Sequence, residues 1–209
     1  MTSKDYQAAF DREFPEDVKL AIGMVIQNDY RTTANYIAAE EILGQFALHL
    51  SPQIRHYRIQ SNLVEALRGA HPNIFTQVVR HSSGAEWYTV IQSNSFYLTV
   101  SMVKARGRLP KRTQFRSSNA QVNSLLSYLD EPVPDRLYAI LTHVSSRDNS
   151  ELKHLDLVIP DSRYKKAELI YDWLPLLTFQ DNSAPVPNEV IDVPSPRFKE
   201  ETKKKVEGA

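Results

Sequence analysis

The chain reads as an α+β protein in which N-terminal helices precede an antiparallel meander with a helix and further strands, followed by a tail of different composition. Three observations carry that reading. Apolar residues recur at helical spacing from Lys4 to Leu50. Between Asn73 and Ala105 they alternate with polar residues in three short runs divided by Gly, Ser and Asn. From Thr178 onward large apolar residues thin out, and Pro stands at 185, 187, 194 and 196. The resulting division is 1–50 as an N-terminal helical part, 51–177 as an α+β core and 178–209 as a disordered Pro-rich, charged tail.

The first helix is expected from Lys4 to Phe14, where Tyr6, Ala9, Phe10 and Phe14 share one side. Pro15 with Glu16 and Asp17 behind it marks a second helix start, since a missing N–H and negative charge both suit a helix N-terminus. A third helix is read from Thr32 to Leu50, apolar on most of its surface. These helices do not read as helix-turn-helix, because Glu40 and Glu41 on the third would repel phosphate. Ser51 before Pro52 and Gly69 before Pro72 bracket a fourth helix, with Ile54, Tyr57, Val64 and Leu67 as its apolar stripe and Arg55, Arg58 and Arg68 facing out.

The meander follows. Its strands are NIFTQVVR, EWYTVIQ and FYLTVSMVKA, with HSSGA and SNS as turns. In the third, Phe96, Leu98, Val100 and Met102 share a face, and Tyr97, Thr99, Ser101 and Val103 the other. A loop dense in cations runs to Arg116, and its charge predicts a segment that packs into no core. A helix from Ser117 with Val122, Leu125, Leu126 and Leu129 inward comes next. RLYAILTHV, apolar on both faces, reads as a central strand, HLDLVIPD as another, and YKKAELIYDWLPLL as a last helix ended by Pro175.

Composition narrows the function classes. The 209 residues suffice for a core without staples, and the absence of cysteine excludes disulfides, thiolate metal sites and a Cys nucleophile. No apolar run approaches the roughly 20 residues of a membrane span, and no secretion signal is read at the N-terminus, so a cytoplasmic protein without membrane association is expected. Six glycines and no phosphate-cradling motif argue against a glycine-rich nucleotide loop. No spacing of the six histidines suggests a metal site. No cofactor is implied, and no motif names a reaction.

Charge is the strongest functional signal. A formal net charge of zero conceals ten cations against two carboxylates in residues 55–129, flanked by acidic thirds. Lys104, Arg106, Arg108, Lys111, Arg112 and Arg116 lie within 13 residues. Cations bind phosphates and the nearby Trp87, Tyr88, Tyr97 and Phe115 could stack bases, so the expected partner is nucleic acid, DNA or RNA, or another anionic polymer, held by these residues with Arg55 and Arg58. The alternative is an interaction module, such as an antitoxin or phage-defence component, whose cations grip an acidic protein. Residues 178–209 could recruit a partner or cover the basic loop, and Val190, Ile191 and Val193 could add as a strand to a sheet edge. His143 and Asp156 could pair as a base and its orienter if their strands are neighbours.

The order helix, three-strand meander, helix, strand over residues 53–145 resembles the αβββαβ core of the restriction-endonuclease-like (PD-(D/E)xK) nucleases. The resemblance implies Glu65 at the helix position, Glu86 on the second strand and Lys104 as the terminal Lys of a metal-dependent nuclease site. Met102 occupies the acidic position two before the Lys, and a thioether is a poor ligand for Mg²⁺. It therefore implies a nucleic-acid-binding relic before a working nuclease.

Overall fold

A computed structural model describes residues 3–40, 46–69, 71–80, 87–125, 136–173, 175 and 177. Four helices and six strands follow in the order α1 (Ser3–Glu13), α2 (Glu16–Ala39), α3 (Ala47–Leu67), β1 (Phe75–Arg80), β2 (Trp87–Gln92), β3 (Phe96–Met102), α4 (Gln114–Leu125), β4 (Leu137–Ser145), β5 (Leu152–Pro160) and β6 (Ala167–Asp172). The expected α+β class and the αβββαβ order from α3 to β4 are both present. The predicted tail and the HSSGA turn lie outside the described residues.

The strands form one mixed sheet in sequence order, β1 to β6, and every neighbouring pair is antiparallel except β3 and β4. That one parallel pair exists because α4 lies between its strands and carries the chain back to the starting end of the sheet. Register then fixes the faces. Phe96, Leu98 and Val100 align with Leu137, Ala139 and Leu141, while Tyr97 and Thr99 align with Tyr138 and Ile140.

The first set meets helices α1 to α3. There Phe10 and Phe14 stack at 4.5 Å between centroids, and Phe10 also meets Phe96 and Trp173 edge-on or tilted. Residues from Tyr6 to Leu177 belong to this single buried cluster, so the helices of 1–50 pack on the sheet of 51–177. Glu13 at the end of α1 fastens the β2–β3 turn, accepting from Ser93 Oγ at 2.5 Å, Ser95 N at 2.8 Å and Ser95 Oγ. The second set meets α4, with Ala120, Tyr138, Ile140 and Tyr164 buried and Tyr97 and Leu109 against them.

Several expected boundaries move. The second and third predicted helices are one helix as far as Ala39, because Val18, Ile22, Ile26, Tyr30 and Thr33 make a continuous buried stripe through the expected break. α3 begins at Ala47 and takes Pro52 into its second turn. The missing N–H forfeits one backbone bond there. Its buried stripe is Ile59, Leu63 and Leu67, with Tyr57 half exposed, one helical step round from the predicted one. Met102 is 38% exposed rather than continuing the apolar face of β3. α4 starts at Gln114, three residues early, capped by Thr113 Oγ1, which accepts from Arg116 N at 3.2 Å.

The last element is a strand and not the expected helix. AELIYD alternates in burial, Leu169 inward and Ile170 46% exposed, and pairs antiparallel with β5. The turn before it decides the matter: Asp161 Oδ1 accepts from the backbone N–H groups of Lys165 and Lys166 at 2.5 and 3.1 Å, and Tyr164 takes a positive φ of 53°. A closed hairpin overrides helical spacing.

Candidate anion-binding surface

The site begins where β3 ends. Val103 N donates to His143 O at 2.9 Å, the last ladder bond, and the chain then crosses the α4 face of the sheet. It is not the unpacked loop that its charge predicts. Val103 and Pro110 are buried, and Leu109 joins the second apolar cluster. Pro110 O accepts from Tyr164 Oη at 3.2 Å. Gly107 turns with φ 71°, and a Cβ there would stand 3.0 Å from Ile170 Cδ1, so glycine suits both the left-handed backbone and the close approach to β6.

Two of the six predicted cations hold the segment down. Arg106 Nε donates to Asp156 Oδ1 at 3.2 Å and its Nη2 to Asp172 Oδ2 at 2.6 Å. Asp156 is 1% exposed, and burial pushes its carboxyl above the ordinary range although Arg106 opposes that and Asp172 adds to it. Arg116 donates to Ser101 Oγ at 3.2 Å and to Lys111 O at 2.8 Å. Lys104, Arg108 and Lys111 are exposed and form no ion pair among the described residues.

Arg112 joins a constellation that loop composition alone does not reveal. With Ser117 and Gln121 of α4 and Ser162, Arg163 and Lys165 of the β5–β6 turn, it lines an open cavity of about 400 Å³. Three cations and three neutral polar side chains face this space, and no carboxylate lines it. Arg112 Nε donates to Ser117 Oγ at 3.0 Å, which orients the guanidinium and leaves the serine hydroxyl proton for another acceptor. Arg163 and Lys165 carry a readable signal, three cations in a six-residue turn, but they stand 47 residues or more beyond Arg116 and only the β5–β6 hairpin brings them to α4.

The arginines of α3 lie elsewhere. α3 packs on the opposite face of the sheet, so Arg55 and Arg58 are separated from the loop by the sheet itself. Arg55, expected to face solvent, is fully buried. Its guanidinium lies 3.9 Å from the Tyr30 ring centroid, and its Nη2 donates to Ser51 Oγ at 3.1 Å and to Asn149 O. Arg58 Nε pairs with the buried Asp29 at 3.3 Å, and Asn62 Nδ2 donates to the same oxygen at 2.7 Å. The aromatics expected to stack bases are packed inward: Phe115 lies 4.5 Å from Tyr88 and 6.4 Å from Tyr138 between centroids. Trp87 is 48% exposed, but it shares the α1–α3 face with Thr89 and Ile91.

His143 and Asp156 sit on neighbouring strands yet do not pair. Asp156 lies opposite Thr142 and His143 opposite Leu155, which sends the two side chains to opposite faces. His143 Nδ1 meets Tyr30 Oη at 2.7 Å. Burial, with smaller contributions from Arg55 and His56, drives its pKa down to about 3, and burial raises that of Tyr30 to about 12. A neutral imidazole therefore accepts from a protonated tyrosine, a structural contact within the core.

Of the residues implied by the nuclease resemblance, Glu65 is exposed in the last turn of α3 and pairs with Arg68 at 3.1 Å. Lys104 is exposed just past β3, and Glu86 lies outside the described residues. Among the described residues no group of three His, Asp or Glu converges as a metal site would need, and no helix is long and apolar enough to cross a membrane. Neither a protein-family model, nor a curated protein, nor a solved structure shows significant similarity to this chain.

Proposed function

We propose that this protein binds nucleic acid or another phosphate-bearing polymer through the face formed by residues 104–116, the first turns of α4 and the β5–β6 turn. The observation that carries the reading is the carboxylate-free cavity lined by Arg112, Arg163 and Lys165. Lys104, Arg108 and Lys111 stand exposed on the segment leading to it and can neutralise further phosphates. Arg106 and Arg116 hold the backbone that presents them. Because Tyr88, Tyr97 and Phe115 pack against one another, Trp87 lies on the opposite face and the cationic groups are long and solvent-facing, the recognition is of backbone charge and not of base sequence.

The test is binding of the full chain to unrelated single- and double-stranded oligonucleotides at two salt concentrations, beside an Arg112→Ala/Arg163→Ala/Lys165→Ala variant. Salt-sensitive binding that weakens in the variant and loses part of its salt dependence supports the reading. Absence of binding even at low salt removes it.

A further inference from the structure

We infer that the cavity between α4 and the β5–β6 turn seats a terminal phosphate monoester, the end group of a nucleic-acid strand or of a phosphorylated small molecule. The inference rests on the basic-face reading and narrows it to one chemical group. Three cations from two separate segments meet around one space of about 400 Å³, and none of them has an ion-pair partner among the described residues. An internal phosphodiester brings one negative charge and two free oxygens, and its chain must leave on both sides. A monoester brings about 1.5 to 2 negative charges near neutral pH and three free oxygens. The second fits three cations with Ser117, Ser162 and Gln121 beside them.

The cavity is the size of a small-ligand site, and its lining has no aromatic side chain on which a base could stack. Its walls are set in advance. Asp161 turns its Oδ1 to the backbone of Lys165 and Lys166, and Tyr164 ties the same turn to Pro110 O. The guanidinium of Arg112 is aimed by Ser117. The turn backbone and the Arg112 guanidinium are ordered before the ligand arrives, so the ordering cost falls on the exposed side chains of Arg163 and Lys165.

The experiment compares one single-stranded oligonucleotide, labelled at its 3′ end, with a 5′-phosphate and with a 5′-hydroxyl, by fluorescence anisotropy on the full chain. The phosphorylated strand is expected to bind about tenfold tighter, the scale of a charge-assisted contact. Arg163→Ala/Lys165→Ala should erase the difference, whereas Lys104→Ala/Lys111→Ala should weaken both strands alike; thermal melts of both variants check folding. Adenosine 5′-monophosphate should displace the phosphorylated strand and adenosine should not. Displacement at the strand's own affinity assigns the site to a small phosphorylated molecule, and displacement only at far higher concentration assigns it to a strand end. Equal binding of the two strands by the native chain overturns the end-group inference while leaving the basic face intact. Binding of neither strand at low salt removes both.

Discussion

Arg106 lies across the α4 face with its Nε 3.2 Å from Oδ1 of Asp156, a carboxylate that is 1% exposed. It is the only ion-pair partner of Asp156 among the described residues, and the second carboxylate oxygen, Oδ2, has no hydrogen-bond partner there. A cation drawn from the most basic segment of the chain therefore serves as a clamp for that segment.

Removing the cation leaves Asp156 buried and unpaired. For fully buried pairs such a break costs about 3–5 kcal/mol, and the half-exposed position of Arg106 scales the expectation for Arg106→Ala to about 2 kcal/mol. The pH dependence has a definite sign. The folded Asp156 carboxyl titrates above its unfolded value, so its protonation favours the folded state as pH falls, and losing Arg106 strengthens that effect. Urea melts should show the deficit of Arg106→Ala narrowing as pH falls and the carboxyl takes up its proton; a deficit that widens as pH falls contradicts the clamp.

His143 supplies the opposite slope. Its pKa falls to about 3 in the folded chain, so below about pH 6.5 the unfolded state takes up a proton that the folded state refuses. Stability should decline toward pH 5 with a slope approaching about 1.4 kcal/mol per pH unit, and His143→Asn should flatten it. Arg55→Met removes a neighbouring positive charge and should raise the His143 pKa, which an NMR titration of the imidazole reads directly.

Asn123 joins α4 to two strands. Its Nδ2 donates to Tyr138 O at 3.1 Å and to Pro160 O at 2.8 Å, and its Oδ1 accepts from Tyr138 N at 2.9 Å, all buried. Asn123→Ala orphans an N–H and two carbonyls, and a loss of about 2–4 kcal/mol is expected in thermal or urea unfolding. Asn123→Asp should be no better, since a carboxylate cannot donate to either carbonyl. A loss under about 0.5 kcal/mol would show that water replaces the amide.

Gly23 is a test of close packing. A Cβ on it would stand 2.5 Å from Leu177 Cδ2, on the segment that follows β6. Gly23→Ala gains helix propensity of about 1 kcal/mol, so a net destabilisation would measure the displaced leucine. Pairing it with Leu177→Ala should restore that propensity gain relative to Leu177→Ala alone, which a double-mutant cycle reads.

Much of the fold is legible in the sequence because burial on both faces leaves unmistakable text. RLYAILTHV becomes β4, buried from Leu137 to Val144, and the alternation of FYLTVS becomes β3. What misleads is chemistry satisfied at a distance. Arg106 reads as a free cation because its partners Asp156 and Asp172 stand 50 and 66 residues away. Arg55 reads as solvent-facing because nothing local announces the Tyr30 ring beneath it. YKKAELIYDWLPLL keeps helical spacing, yet its pairing with β5 is settled by the turn at Asp161. The cavity is half legible, since Arg112 lies in the charge run while Arg163 and Lys165 reach it only through the hairpin.

Whether the basic face binds phosphates is read most directly from the salt dependence of oligonucleotide affinity for the native chain, for Arg112→Ala/Arg163→Ala/Lys165→Ala and for Arg58→Ala, which lies on the opposite face. For the native chain log affinity should decline steeply with log salt. The slope in the triple variant should be shallower by about 1 to 3, the lower end if the three cations share one phosphate and the upper end if each holds its own, with no change in Arg58→Ala. Equal slopes in the native chain and the triple variant, or a weakening confined to Arg58→Ala, would contradict phosphate binding by this face.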